Sequence, residues 1–508
     1  MKKFALDYIK SFEHSDEIEI KPVTIFVGKN SCGKSSLLRF PVVLAQTFRE
    51  EALTPLLLFG SLIDYGNYDD VTHRHIDSSI GFRITFGPEL MSAVNLRYGY
   101  LLRQDLNEVT KIKSIEVRVY IYKPSKRLRV KEIELYIEGK KLCTVYRKND
   151  VYNLRLYQIF FDKTWKECEI DATLPDLDFN KFLPRIDAEE ILKQYMKERN
   201  ILKESAADLL EYESVQSYVD YIDNNVLETE KYQTMIFYQT LLMVKVYFIA
   251  IASYMKDEAE RTAYIGPFRE APKRTYRDSE SSFKDVGVYG ENASMILRQA
   301  SQGDYQLLKN VSEWLQKAMG YTLNIQDIGN SLYSLAVCRD QESDNIMDVG
   351  FGISQVLPIV TQLYDKGEYE QRVYGRGMLK RRTVILEQPE IHLHPAAQAQ
   401  LADLFVDCVC NKKGAVGRIL IETHSEHLIR KLQVLVADPE VPISDDQVAV
   451  YYVDKNQDGD SYVGKMELDE RGQFEKAWPK GFFDKSYELT KMLVQASSKA
   501  AGREKRND

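Results

Sequence analysis

Apolar residues along the chain follow two different spacings, and the spacing changes from segment to segment. Residues 17–28, "EIEIKPVTIFVG", alternate between polar and apolar up to a glycine, which predicts a β-strand. A helix is predicted directly after it, over residues 34–52. Alternating runs between about 95 and 165, such as "SIEVRVYIYK", predict an antiparallel sheet with one face in water.

Helical spacing predominates from about residue 187 to residue 258, where we predict a helical insertion without the sustained heptads of a coiled coil. The stretch "TLLMVKVYFIAIASYM" (240–255) contains Lys245. It is also shorter than the roughly 20 residues that cross a bilayer. A buried helix is therefore predicted there. After residue 261 helices and strands alternate, so the fold class is predicted to be α/β.

Charge and cysteine usage restrict the partners and the compartment. The chain has 68 basic and 76 acidic residues, a net charge of −8, which excludes the broad basic surface of a dedicated nucleic-acid coat. Local basic runs such as residues 271–277 could contact DNA, or they could be solvated surface charge. The six cysteines form no CxxC pair, and the N-terminus lacks the apolar core of a signal peptide. We therefore predict a reduced, cytoplasmic protein without a membrane partner.

The pattern GxxxxGK[ST] lies between the first predicted strand and the first predicted helix, at residues 28–35. Backbone N–H groups of such a loop and the helix N-terminus form a concave positive site for phosphates. Lys34 is expected at the β- and γ-phosphates, and Ser35 Oγ at Mg²⁺. The candidate nucleotide-binding residues here are Gly28, Asn30, Ser31, Cys32, Gly33, Lys34, Ser35 and Ser36. The loop thus predicts a site for ATP and Mg²⁺, and we assign no redox role to Cys32.

A second candidate phosphate contact is "MDVGFGISQVLPIV" (347–360), where glycines precede a polar pair and an apolar helix. Glycine lets the start of a helix approach a phosphate closely. Taken alone, the pattern indicates an ordinary helix start more readily than a functional site. The candidate residues are Gly350, Gly352, Ser354 and Gln355.

The strand "RTVILE" (382–387) ends in Glu387, whose carboxylate is predicted to order Mg²⁺ and its waters beside Ser35. Such strands in ATPases usually end in two acids, the second of which polarises the attacking water. Here the second position is Gln388, whose amide cannot accept a proton. Glu390, two residues on, is the nearest spare carboxylate. We therefore predict tight ATP binding with slow hydrolysis.

The segment "RILIETHSEHLI" (418–429) places His424 at the tip of a strand, where a histidine can contact a γ-phosphate or cap the following helix. His427 is interpreted as structural. His392 and His394 form an HxH pair, but no nearby cysteine or acidic residue completes a metal-ligand set at a familiar spacing. The candidate catalytic residues are Glu387, Gln388, Glu390 and His424.

In this order, the four elements resemble the ATP-binding-cassette (ABC) class of P-loop ATPases, within the SMC, RecF and OLD branch. The strings "YIGPFREAPKRTY", "EQPEIHLHPAAQAQLADLF" and "ETHSEHLIRKLQ" are still more similar to ATPases of anti-phage defence systems, such as the PtuA ATPases of Septu systems. The resemblance to the ATPase class covers residues 1–95 and 260–485.

The resemblance implies a homodimer or higher homo-oligomer with two ATP molecules held between subunits. Lys34 and Ser35 of one subunit would face Gly352 and Ser354 of the other, with His424 at the γ-phosphate. It also implies a separate nuclease subunit of the HNH type, and no nuclease pattern is visible in this chain. The usual lid glutamine has no clear counterpart. The corresponding region, residues 58–74, offers Asp64, Asn67, Asp69 and Asp70.

The predicted architecture is an ABC-type P-loop ATPase head with an antiparallel β lobe and a helical insertion. The predicted segments are 1–95 (N-terminal part of the head, with the phosphate-binding loop), 96–186 (strand-rich lobe), 187–260 (helical insertion), 261–485 (C-terminal part of the head, with the signature, Walker B and switch-histidine motifs) and 486–508 (C-terminal helix and polar tail). The insertion is expected either to dock a partner or to cover the sheet as a lid. Two other functions stay open: a DNA-clamping repair ATPase of the SMC or RecF type, and an ATP-bound scaffold without hydrolysis.

Overall fold

The described part of the chain forms two compact units. The computed structural model describes residues 1–75, 79–90, 112–161, 164–174, 176–191, 193, 230–303, 305–340, 342–366, 381–410, 415–479 and 492. The first unit consists of Met1–Ile20, Arg39–Thr262 and Asn456–Tyr462. The second consists of Lys21–Leu38, Ala263–Lys455 and Val463–Asp508.

Strands and helices are numbered here in chain order. The strands are β1 (Lys3–Ile9), β2 (Phe12–His14), β3 (Ile18–Glu19), β4 (Val23–Gly28), β5 (Ile80–Phe86), β6 (Ile115–Tyr122), β7 (Arg129–Ile137), β8 (Lys140–Lys148), β9 (Val151–Phe161), β10 (Thr164–Leu174), β11 (Phe179–Asn180), β12 (Leu183–Pro184), β13 (Thr262–Ile265), β14 (Tyr276–Arg277), β15 (Thr322–Gly329), β16 (Leu332–Arg339), β17 (Glu342–Asn345), β18 (Arg382–Glu387), β19 (Val416–Glu422), β20 (Val448–Lys455) and β21 (Ser461–Met466). The helices are α1 (Lys34–Arg49), α2 (Tyr68–Val71), α3 (Glu230–Arg261), α4 (Ala293–Gln302), α5 (Tyr305–Met319), α6 (Phe351–Tyr364), α7 (Pro395–Cys410) and α8 (Glu426–Ala437).

An antiparallel sheet dominates the first unit. Its nine strands follow the order β10-β9-β8-β7-β6-β5-β1-β2, with β3 also paired to β1. In β6 the apolar residues Ile115, Val117, Val119 and Ile121 are buried and the residues between them are partly exposed. One face therefore packs against the core and the other meets water. This confirms the antiparallel sheet predicted from the alternating runs.

The long helix α3 is the part of the predicted insertion that can be described. Residues 192 and 194–229, where more helix was predicted, lie outside the described residues. Ile236–Arg261 is long and apolar enough to cross a membrane, but 61% of its most apolar window is buried inside the protein. Phe237, Leu241 and Phe248 are among its buried residues. The stretch 240–255 is thus a buried helix, as predicted.

A largely parallel sheet organises the second unit. Its strand order is β13-β18-β19-β4-β20-β21, and neighbours among β18, β19, β4 and β20 run parallel. Every residue of β4 is buried, as expected for a strand covered on both faces. Helix residues such as Val360 of α6 and Leu401 of α7 share one hydrophobic core with strand residues such as Ile25. A smaller antiparallel sheet, β14-β16-β15 with β17 on β16, belongs to the same unit.

The register of the parallel strands brings their carboxyl ends to one edge. Glu387 of β18 lies opposite Glu422 of β19, Glu422 lies opposite Phe26 of β4, and Gly28 lies opposite Val453 of β20. In an α/β sheet this edge is where ligands bind. The mixed α/β fold with an antiparallel sheet confirms the predicted fold class, whereas the predicted domain boundaries stay a prediction.

Candidate functional site

The loop between β4 and α1 has a backbone shape that requires glycine at its first position. Gly28 has φ +149°, and a Cβ there would lie 2.0 Å from the carbonyl oxygen of Val453. Ser31 and Gly33 are also in left-handed conformations, with φ +58° and +99°. The strand, the loop and the helix that starts at Lys34 thus follow in the order that a phosphate-binding loop needs.

The side chain of Lys34 folds back over this loop. It is only 3% exposed, and its Nζ donates a hydrogen bond to the carbonyl oxygen of Lys29 at 2.5 Å. The Cys32 thiol donates to the same carbonyl at 2.8 Å. Burial raises the pKa of the Cys32 thiol, which keeps the thiol protonated and poorly reactive. These contacts place an ammonium group inside the loop.

A second contact ties the loop to β20. Lys29 Nζ lies 2.8 Å from a carboxylate oxygen of Asp454, and the Tyr452 hydroxyl donates to the same carboxylate at 3.0 Å. Partial burial opposes ionisation of Asp454, but the hydrogen bond from Lys29 prevails and lowers its pKa. The loop is therefore anchored to the strand beside β4 by an ionised acid.

Glu387, at the end of β18, is buried and fixed by two residues that the sequence did not single out. Its side chain is 2% exposed, and the Tyr264 hydroxyl donates to its Oε1 at 2.6 Å. Arg269 Nη2 donates to the backbone carbonyl of Glu387 at 2.7 Å, and Nη1 to that of Gln388 at 3.2 Å. Both residues lie in "YIGPFREAPKRTY", a string that carried the resemblance but had no assigned role.

Gln388 follows directly in a left-handed conformation, with φ +45°. Its backbone N–H donates to the carbonyl of Glu422 at 2.8 Å. The half-buried position where a second acid was expected is thus held in place by the neighbouring strand.

Glu390 and His424 meet through the backbone. Glu390 is 8% exposed, and its Oε1 accepts a hydrogen bond from the N–H of His424 at 2.7 Å. Burial raises the pKa of Glu390, although this hydrogen bond and the charge of Arg269 oppose the shift.

His424 follows the tip of β19, and its ring reaches the surface. Loss of water around the ring and the positive charge of Lys34, at the end of the loop after β4, lower its pKa. The cap of α8 is Ser425, whose Oγ accepts from the N–H of Leu428 at 3.1 Å. Helix capping, the alternative role considered for His424, is therefore carried out by its neighbour.

At the start of α6, the structure leaves some of the candidate residues exposed and buries others. Gly350 is the residue before the helix, and nothing lies within 4 Å of a Cβ placed there. Gly352 packs against the chain, since a Cβ there would lie 2.9 Å from the carbonyl oxygen of His392. Ser354 and Gln355 are buried, and Ser354 Oγ donates to the carbonyl of Phe351 at 2.8 Å.

Two other sequence-based possibilities can be compared with the structure. Within the described ranges, no group of three or more His, Cys, Asp or Glu side chains is placed to hold a metal ion. In the region of the expected lid glutamine, Asp64 and Asp70 accept hydrogen bonds from the backbone N–H groups of Gly66 and Asn67. These acids therefore stabilise local backbone turns within the first unit.

The arrangement is that of an ATPase site, and the family comparison agrees. A model of the AAA ATPase domain family (AAA_15) matches residues 8–429. Since this is well over half of the chain, the protein belongs to that family. A second model, for a protein family of unknown function (DUF3696), matches residues 443–493. A search of the curated proteins finds no match.

Among solved structures, the chain is similar to SMC head domains. The Smc head domain of Pyrococcus furiosus, with an extended coiled coil and bound to the C-terminal domain of ScpA, shares 12% identity over 92% of this chain and 96% of that chain, with a TM-score of 0.37. The SMC head domain of Thermotoga maritima shares 10% identity over 92% of this chain and 99% of that chain, with a TM-score of 0.34. Both TM-scores are below 0.5, and neither likeness defines a function for this chain.

Proposed function

We propose that this protein is an ABC-class ATPase of the SMC, RecF and OLD branch that binds ATP tightly and hydrolyses it slowly. One observation carries the proposal. The loop with Lys34, the acid Glu387 and the residue His424 lie at the carboxyl ends of three adjacent parallel strands, β4, β18 and β19, at the same edge of the sheet. A phosphate cradle, an acid and a histidine at one edge are the parts that phosphoryl transfer needs.

Each part has a definite task in this proposal. The loop N–H groups and Lys34 bind the phosphates, and His424 contacts the γ-phosphate. Ser35 and Glu387 supply the hard oxygen donors that Mg²⁺ prefers, and Mg²⁺ needs few protein ligands because phosphates and waters complete its shell. When bound, Mg²⁺ would neutralise charge that develops on the phosphate oxygens. Tyr264 and Arg269 keep Glu387 in a fixed position.

The proposal of slow turnover rests on Gln388. Loss of a positioned general base typically costs a factor of about 10²–10⁴ in rate. An amide can still orient water without taking its proton, so a residual rate is expected. The chain would then keep ATP bound for long periods, and the presence or absence of nucleotide would act as its signal.

Single-turnover hydrolysis of labelled ATP tests this function. We expect wild type to bind ATP and to convert it slowly, and Gln388→Glu to accelerate the conversion about 10²-fold. Lys34→Ala is the control that should lose binding. Intact ATP on the wild type combined with rapid conversion by Gln388→Glu would identify an ATP-bound scaffold. Failure of wild type to bind ATP would reject the proposal.

The cellular role we propose is anti-phage defence, in which this ATPase regulates a separate nuclease subunit. The support is the similarity of "EQPEIHLHPAAQAQLADLF" and "ETHSEHLIRKLQ" to defence ATPases. Phage plating on cells that express the chain with its neighbouring genes tests the role. Protection should disappear with Lys34→Ala and persist with Lys317→Ala, an exposed lysine of α5. Equal plating with and without the intact genes would reject it.

A further inference from the structure

We propose that Glu390 is a positioning residue that holds His424 in place, and that it does not replace the missing general base. The inference rests on the proposed function, because it concerns the contact of His424 with a γ-phosphate. It assigns a task to a buried acid for which the sequence offered only the role of a spare carboxylate.

Three contacts fix the backbone around His424. The N–H of Thr423 donates to the carbonyl of Phe26 in β4 at 3.1 Å. The N–H of His424 itself donates to Glu390 Oε1 at 2.7 Å, and Ser425 caps α8. The first and third contacts come from the sheet and from the helix. The middle one comes from the segment after β18, so it joins the end of the acid-bearing strand to the histidine.

Arg269 stabilises the buried carboxylate of Glu390 that makes this contact. It is itself buried, and it donates to the carbonyls of Glu387 and Gln388, just before Glu390. Burial lowers the pKa of Arg269 to about 10, but the guanidinium still carries its charge at neutral pH, and the charge of Glu390 opposes the shift. A buried carboxylate is costly unless an opposite charge and hydrogen bonds compensate it. Arg269 supplies the opposite charge, and the N–H of His424 supplies a hydrogen bond to one carboxylate oxygen, Oε1.

The alternative role, Glu390 as general base, fits the geometry less well. A base must come within hydrogen-bond reach of the water that it deprotonates. Glu390 is almost entirely buried, and one of its oxygens is already occupied by a backbone N–H. Its raised pKa does not decide the matter, because burial raises the pKa of any carboxylate, whether or not it acts on a substrate.

The decisive measurement is the preference of the purified full chain for a non-hydrolysable ATP analogue over ADP, expressed as the ratio of the two dissociation constants. Glu390→Ala removes the acceptor for the His424 N–H and should reduce this preference about tenfold, in the range of one hydrogen bond to a charged group. Glu390→Gln keeps an acceptor oxygen of the same shape and should retain the preference. The double variant Glu390→Ala/His424→Ala should lose no more of the preference for the ATP analogue than His424→Ala alone. The reason is that Glu390 acts through His424.

Each other outcome has a definite meaning. An unchanged preference in Glu390→Ala, or additive losses in the double variant, overturns the inference. The inference is also overturned if Glu390→Gln slows single-turnover hydrolysis by 10²-fold or more while its preference for the ATP analogue over ADP is unchanged. That result is the behaviour of a general base. Circular dichroism checks the fold, and Glu313→Ala, at an exposed acid of α5, is the matched control. If wild type binds neither nucleotide, the proposed function itself fails and this inference fails with it.

Discussion

Gln388 is held by its backbone on both sides, so its side chain can be exchanged without moving the chain. Its N–H donates to Glu422 and its carbonyl accepts from Arg269. The φ of +45° costs about 1 kcal/mol for a residue with a Cβ, whichever side chain it carries. Glutamate at this position would therefore start from the same backbone geometry. The difference in ATP turnover between Gln388 and Gln388→Glu then reports the chemistry of the side chain.

His424 offers a direct test of its proximity to the phosphate-binding loop. Loss of water around the ring and the charge of Lys34 both lower its pKa below the usual 6.5, which favours the neutral ring. We expect Lys34→Met to raise this pKa, because one of the two causes is removed. NMR titration of the His424 ring measures it, with Lys317→Met as the control that changes nothing. A pKa at or above 6.5 in wild type would contradict this placement.

Tyr264 supports Glu387 by one buried hydrogen bond at 2.6 Å. Tyr264→Phe keeps the ring but leaves the buried carboxylate without this donor, so we expect the free energy of unfolding to fall by about 1.5–3 kcal/mol. Denaturant titration measures the change. Tyr289→Phe removes a hydroxyl from a largely exposed tyrosine and should have no measurable effect. Equal stabilities of the two variants would show that the Tyr264 hydroxyl makes no net contribution.

At the level of the elements, the loop after β4 depends on its contact with β20. A Cβ at Gly28 would collide with the carbonyl of Val453, whereas Gly320, also at positive φ, has nothing within 4 Å of such a Cβ. Gly320→Ala therefore tests backbone strain alone and should cost about 1 kcal/mol. Gly28→Ala adds a collision and should cost at least about 2 kcal/mol more.

Thermal unfolding of the two glycine variants compares these costs, and nucleotide binding provides a second readout. Gly28→Ala should lose ATP binding because the loop must shift, and Gly320→Ala should keep it. If both variants are destabilised equally, the close approach of β20 does not shape the loop.

Local sequence patterns predicted the strands and helices that carry the site. They could not predict the contacts between residues that are far apart in the sequence. The strand before Gly28, the helix after Lys34 and the strand that ends at Glu387 all have strong local signals. The contacts of Tyr264 and Arg269 with Glu387 span more than a hundred residues, so they depend on strand order and register. The burial of the Ser354 side chain likewise depends on how α6 packs. Sequence spacing fixes which residues share an element but not which elements are neighbours.

At the scale of the whole molecule, the resemblance implies a dimer with ATP held between two subunits, and the exposed start of α6 is the surface that best tests this expectation. Phe351 is 61% exposed there, next to the open Gly350. An exposed large apolar side chain at a glycine-rich helix start suits burial against a second copy of the chain. With ATP between two copies, this start would face the loop of the other subunit, as the resemblance implies.

We therefore expect Phe351→Asp to weaken ATP-dependent association at least tenfold, because a carboxylate would be buried near phosphates. ATP binding by the single chain should persist, since Phe351 is not among the residues that cradle the phosphates of its own subunit. Sedimentation velocity with and without a non-hydrolysable ATP analogue measures the association. Leu53→Asp, at a fully exposed residue of the first unit, is the matched control. Association that is independent of nucleotide, or unaffected by Phe351→Asp, would separate ATP binding from assembly and leave the nucleotide with a role inside one subunit.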